Sequence, residues 1–265
     1  MRLFRSFSRQ AFHNTAVYRF DFWLQLVAAC LMMYSVHWVW NTLYAQSPQA
    51  FGVSLRQMIA YGILGMALET VFAPGRGPQT YMAEQVKTGS IDTDLSKPLD
   101  FHFHMLARNF GETLFRFCAL VVPSLLVGAA FLGLQPPPGF GNLLLFLVSL
   151  LLGYFVLFSL NFLVGTAAVL TLDIGSVSWA YNALLRFFAG QMVPFWLFPD
   201  FLEAVARCLP FQSIYYIPIT IYIGKADGAA ALEGILLQAG WALLLLAACR
   251  LAWNRVQSRL IVQGG

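Results

Sequence analysis

Charge is what this chain has least of. Asp, Glu, Lys and Arg together make up 11% of its 265 residues, against roughly 25% in an average soluble domain. A water-soluble fold of this length needs charge over most of its surface, yet apolar residues here reach 59%. A bilayer removes that requirement, so the deficit predicts an all-α integral membrane protein and excludes an ordinary soluble enzyme. Catalytic signatures are missing too. The only Gly-Lys pair, Gly224-Lys225, lacks the earlier glycine of a phosphate-binding loop, and no His-Glu-x-x-His, Cys-x-x-Cys or Gly-x-Ser-x-Gly occurs. Cys30, Cys118, Cys208 and Cys249 are scattered without metal or redox spacing and read as small apolar fillers. His102 and His104 stand two apart, which on a helix turns them to different faces and argues against a shared metal. Asp92 and Asp94 imitate a carboxylate pair but sit in a solvated polar stretch with no buried partner. The chain is therefore read as non-catalytic, with no catalytic residues, no metal site and no cofactor of its own.

What is present is apolar sequence in long runs. A hydrocarbon core of roughly 30 Å takes about 20 helical residues. Six stretches are read as transmembrane helices: Phe22–Tyr44, Arg56–Phe72, one following Arg116 to about Leu134, Asn142–Leu172, one following Asp173-Ile174-Gly175 to about Pro194, and Ala230–Cys249. Each must be a helix, because backbone polar groups find no water partner in lipid. Lysine and arginine crowd residues 2–19, 76–116 and 250–259, while the opposite side keeps only Arg56, Arg207 and Lys225. That asymmetry predicts cytoplasmic N and C termini and a cytoplasmic middle segment. The first span is too long for a cleavable signal peptide. A net charge of +4 suits lipid headgroups and gives no reason to expect nucleic acid.

Three segments are not plain spans. Residues 1–20 place Phe4, Phe7 and Ala11 on one helical face and Arg2, Arg5 and Arg9 mostly on another, the pattern of an N-terminal interfacial helix; a frayed tail is the plainer alternative. Within the cytoplasmic segment 75–107, Gly89 and Ser90 form a turn, Asp92 or Asp94 caps a short helix, and Pro98 ends it. Val86, Ile91, Leu95, Leu99 and Phe101 leave an apolar edge that either docks a partner or folds back on the chain's own helices. The exoplasmic segment 194–228 is too apolar for a solvated loop and too broken by proline for another span. It reads as re-entrant, with Trp196, Tyr215, Tyr216 and Tyr222 at headgroup depth.

Two intramembrane charges, Glu69 and Arg186, interrupt the apolar runs. Each costs at least about 2.5–3.5 kcal/mol in the bilayer and must face protein or water. Their depths differ by less than about 10 Å, so they either pair structurally or line a substrate path.

Together the segments carry a resemblance. An interfacial helix, six spans, a cytoplasmic docking helix after span two and a re-entrant segment before span six resemble the ABC-2 type permeases, membrane subunits of type V ATP-binding-cassette exporters. The run Lys87-Thr-Gly-Ser-Ile-Asp-Thr-Asp-Leu-Ser-Lys-Pro-Leu is similar to a pattern of one bacterial branch, formerly a domain of unknown function. So are Gly190-Gln-Met-Val-Pro-Phe-Trp-Leu-Phe-Pro, Leu209-Pro-Phe and Tyr216-Ile-Pro-Ile-Thr-Ile-Tyr-Ile-Gly. The resemblance implies a single transmembrane domain over 1–265 in the bacterial inner membrane. It implies a second permease chain, identical or related, and two separate ATPase subunits that carry ATP and magnesium. It makes Gly89, Ile91, Asp92, Asp94, Leu95 and Pro98 the coupling helix seated on the ATPase. The connection around Asp173 is very short and leaves little chain for a second coupling contact. A secondary transporter or channel would have only Glu69 and Arg186 for ion coupling. A membrane-embedded enzyme would need a nucleophile or metal cluster that the chain lacks.

Overall fold

Apolar residues without strand-like alternation become helix throughout the described part of the chain. The computed structural model describes residues 19–47, 51–72, 77–89, 100–171 and 175–263. In order, α1 is Arg19–Gln46, α2 Leu55–Phe72, α3 Pro78–Lys87, α4 Phe101–Arg116, α5 Val122–Phe131, α6 Phe140–Thr171, α7 Gly175–Phe188, α8 Asp200–Cys208, α9 Tyr216–Tyr222 and α10 Gly228–Gln263. The proposed interfacial helix (apart from its last two residues), the coupling run 91–99 and the connection around Asp173 lie outside the described residues.

Four stretches are long and apolar enough to cross a membrane: Phe22–Gln46, Phe101–Phe131, Phe140–Ala167 and Gly228–Gln257. The other two expected spans are shorter. Helix α2 has 18 residues, about 27 Å of rise, and α7 has 14, about 21 Å. Helix α7 stops early because Gly190, at φ +68°, turns the chain left-handed just beyond it, a conformation glycine adopts without strain. The third span differs in the other direction. Its helix begins at Phe101 instead of Arg116, because the Asp100 carboxylate caps it by accepting from the Phe103 N–H at 2.9 Å. The polar residues 101–116 therefore extend the helix instead of forming a loop. Between α4 and α5 the helix passes through a π-helical turn, Phe117–Val121. Pro123 follows at once and has no N–H to donate, so the backbone widens by one residue where the ordinary ladder would break.

Helices α6 and α10 pack along each other at the centre. Gln238, fully buried on α10, donates to the Ser149 carbonyl at 3.1 Å and the Ser213 carbonyl at 2.8 Å, and accepts from the Ser149 hydroxyl at 2.8 Å. A lone amide in lipid is costly, and three partners remove that cost. At the Lys/Arg-rich end, Trp253 stacks on Phe101 with ring centroids 4.2 Å apart, and Phe162 and His102 complete the cluster. Helix α1 lies at the edge of the bundle. It packs on α2, while Trp23, Leu31 and Trp38 on its free side are more than half exposed. Such a surface suits lipid or another apolar partner and is incompatible with water.

The chain between α7 and α10 fills the bundle instead of looping outside it. Trp196 donates to the Phe51 carbonyl at 3.0 Å near the start of α2. After α8, the turn Pro210–Ser213 brings its Ser213 carbonyl against Gly153 of α6, where an added Cβ would lie 2.6 Å from it. That level is about 20 Å along α6 from its first residue. Helix α9 then runs back, with Tyr222 against Phe146 and Gly224 against Pro138.

Candidate functional site

Glu69 and Arg186 come together where α7 ends beside α2. An Arg186 guanidinium nitrogen lies 3.7 Å from a Glu69 carboxylate oxygen. The other carboxylate oxygen accepts a hydrogen bond from the Gln191 side-chain amide. Three backbone features hold this geometry. Tyr61, one helical face up from Glu69 on α2, donates its hydroxyl to the Gly190 carbonyl. The Gln191 carbonyl sits directly on Gly65, where any side chain would collide with it. The Ala189 carbonyl accepts from the Tyr216 N–H at 3.1 Å, tying the turn to α9.

Glu69 and Arg186 are not sealed in. The Arg186 side chain is 63% exposed and that of Glu69 31%. This chain alone therefore leaves an open charged face on the bundle. Beside it run further polar groups. Tyr215, within α9's approach and 1% exposed, has a hydroxyl with no hydrogen-bond partner, and Tyr181 of α7 donates to Asn161 of α6 at 2.8 Å. Fixed donors and a carboxylate at one depth can hold and release a polar group; nothing in the arrangement is a nucleophile with its base. Among the described residues no three His, Cys, Asp or Glu side chains group closely enough to hold a metal.

In the sequence Gln191 stands only within the run that begins at Gly190, with no role of its own. Its mark is faint: an uncharged amide just after a glycine in an apolar run, at a point where the helix was expected to continue. Gly89 of the coupling set ends the turn after α3 at φ +68°. Ile91, Asp92, Asp94, Leu95 and Pro98 lie outside the described residues. Upstream of them, α3 is fastened to α6, with Gln79 and Met82 both 2.9 Å from the place a Cβ on Gly165 would take.

A helical bundle with four helices long and apolar enough to cross a membrane defines a multi-pass membrane protein. The model of a family described as ABC-2 family transporter protein matches residues 21–264. The chain belongs to that family, whose membrane components are permeases. Among curated proteins none matches this chain.

Proposed function

We propose that this chain is the permease subunit of an ATP-binding-cassette exporter, and that two such chains, identical or related, enclose a pathway along the Glu69–Arg186 face. The observation that carries the reading is the exposure of Arg186, 63% uncovered in a chain that belongs to a transporter family. An arginine facing hydrocarbon is costly, so this face needs water or a second chain. Six spans follow if α2 and α7 cross in company with the interior segment, which serves as the re-entrant element, entering from the outer side and turning deep in the bundle at Pro210–Ser213. The Lys/Arg asymmetry supports cytoplasmic termini, and the resemblance to a bacterial permease branch favours the inner membrane of a bacterium. The run 87–99 then couples the permease to two ATPase subunits that bind ATP and magnesium, since this chain carries no nucleotide-binding loop.

The test is purification of the tagged full chain from its native membrane. A co-purifying ATPase whose hydrolysis rises in reconstituted vesicles supports the reading. A chain that purifies alone and moves solute under an ion gradient overturns it.

A further inference from the structure

A second polar site lies where α2 ends, at the Lys/Arg-rich end of the bundle. A cavity of about 270 Å³ opens between α3, α4 and α6, lined in part by Tyr81, Glu84, Arg108, Glu112, Arg116 and Tyr154. Arg108 is already engaged. It pairs with Glu112 at 3.1 Å and lies 4.0 Å from the centroid of the Tyr81 ring. Arg116 and Glu84 have no side-chain partner among the described residues, and Glu84 is exposed at the rim. Tyr154 is 5% exposed, and its hydroxyl is buried without a hydrogen-bond partner. A buried hydroxyl left unpaired costs about 1–3 kcal/mol, so the cavity lacks a polar occupant that this chain does not supply.

The charges say what kind. Arg108 and Arg116 balance Glu84 and Glu112, so an anion meets as much repulsion as attraction. The unmatched pair is one cation and one anion at separate points of one cavity. Depth adds the second constraint. Arg116 is the last charged residue before the apolar run from Phe117 to Leu134, the level at which headgroups meet hydrocarbon. The volume lies just below the range that holds a drug-sized molecule, roughly 300–1,000 Å³, and suits a headgroup.

We propose that this cavity binds the zwitterionic headgroup of a phospholipid in the adjacent leaflet, its phosphate on Arg116 and its ammonium on Glu84. The Tyr154 hydroxyl supplies a further hydrogen bond to the phosphate. The site requires only that the chain spans a membrane and is independent of any ATPase.

The experiment uses the full chain, stripped of lipid in detergent, then offered phosphatidylethanolamine, phosphatidylglycerol or chain-free phosphorylethanolamine, with bound molecules counted by native mass spectrometry. Phosphatidylethanolamine should be retained about tenfold over phosphatidylglycerol, the scale of one charge-assisted hydrogen bond. Arg116→Gln should lower retention of both lipids by about the same factor. Glu84→Gln, at an exposed position that leaves folding undisturbed, should erase the preference between them. Equal retention of the two lipids by the unmodified protein overturns the proposal, as do variants that bind like it. Displacement of the lipid by an equal concentration of phosphorylethanolamine shows that the acyl chains add nothing and overturns the lipid assignment. No nucleotide or partner subunit enters the measurement, so its failure leaves the exporter reading standing.

Discussion

Replacing Glu69 by Gln removes one charge and keeps an oxygen for the Gln191 amide to bond, so it isolates the ion pair from the hydrogen bond beside it. At the observed 3.7 Å, two unit charges attract by about 1 kcal/mol in water and by about 4.5 kcal/mol at an effective dielectric of roughly 20. The size of the coupling therefore reports what surrounds the pair. With Arg186 63% exposed, a water-lined face predicts a coupling at the low end, about 1 kcal/mol. Glu69→Gln, Arg186→Met and the double variant are unfolded with denaturant in detergent, and the interaction energy is taken from the cycle. The double variant should recover part of what each single one loses. Purely additive losses show that the charges do not interact, and the geometry of the site is then wrong. A coupling near 4 kcal/mol shows a dry pair, and the pathway reading gives way to a structural one. Reaction of an Arg186→Cys variant with a water-soluble thiol reagent checks the same point independently: the cysteine should label, and protection in the assembled complex should appear only where the second chain covers it.

Three further outcomes are expected. In a cysteine-free background, cysteines at positions 136 and 227 should label from outside intact cells and one at 92 only after the membrane is opened; labelling of 92 from outside inverts the topology. Leu95→Asp places an unpaired charge in the proposed ATPase contact, so the chain should insert normally and lose its ATPase on purification; retention of a stimulated ATPase moves the contact elsewhere. Gln238→Leu deprives Ser149 and Ser213 of their shared partner and should destabilise the bundle in detergent by about 1–2 kcal/mol, whereas an unchanged unfolding midpoint means that the amide contributes nothing.

Much of the bundle is legible in the sequence because a membrane imposes one dominant signal. Apolar runs mark α1 and α6 within a few residues of their observed ends, and the start of α10, which then continues to Gln263, well past the expected end at Cys249, because Arg250 and Arg255 end the apolar run without ending the helix. The signal fails where helices are not governed by lipid. Residues 101–116 carry Arg108, Glu112 and Arg116 and look like a loop by polarity, yet a single carboxylate at Asp100 starts a helix there. Helix α7 fails in the opposite sense: its apolar run continues past Phe188, but the backbone turns at Gly190 because the chain goes into the bundle, where protein satisfies its carbonyls. Glu69 and Arg186 stand out because a charge in an apolar run is anomalous. Gln191, Tyr61 and Gln238 carry no such mark, since their importance lies in which distant carbonyl or carboxylate they meet.

The clasp made by Gln238 also fixes an order of events during synthesis. The Ser213 carbonyl and the Ser149 hydroxyl are translated before α10 exists, and both take their partner from it. Until the last helix is inserted, the turn at Pro210–Ser213 has no amide to bond at its interior position, and a bare carbonyl is disfavoured there. The final helix is thus the latch of assembly: a nascent chain that stops before residue 238 holds every earlier helix without the amide that joins Ser149 to Ser213.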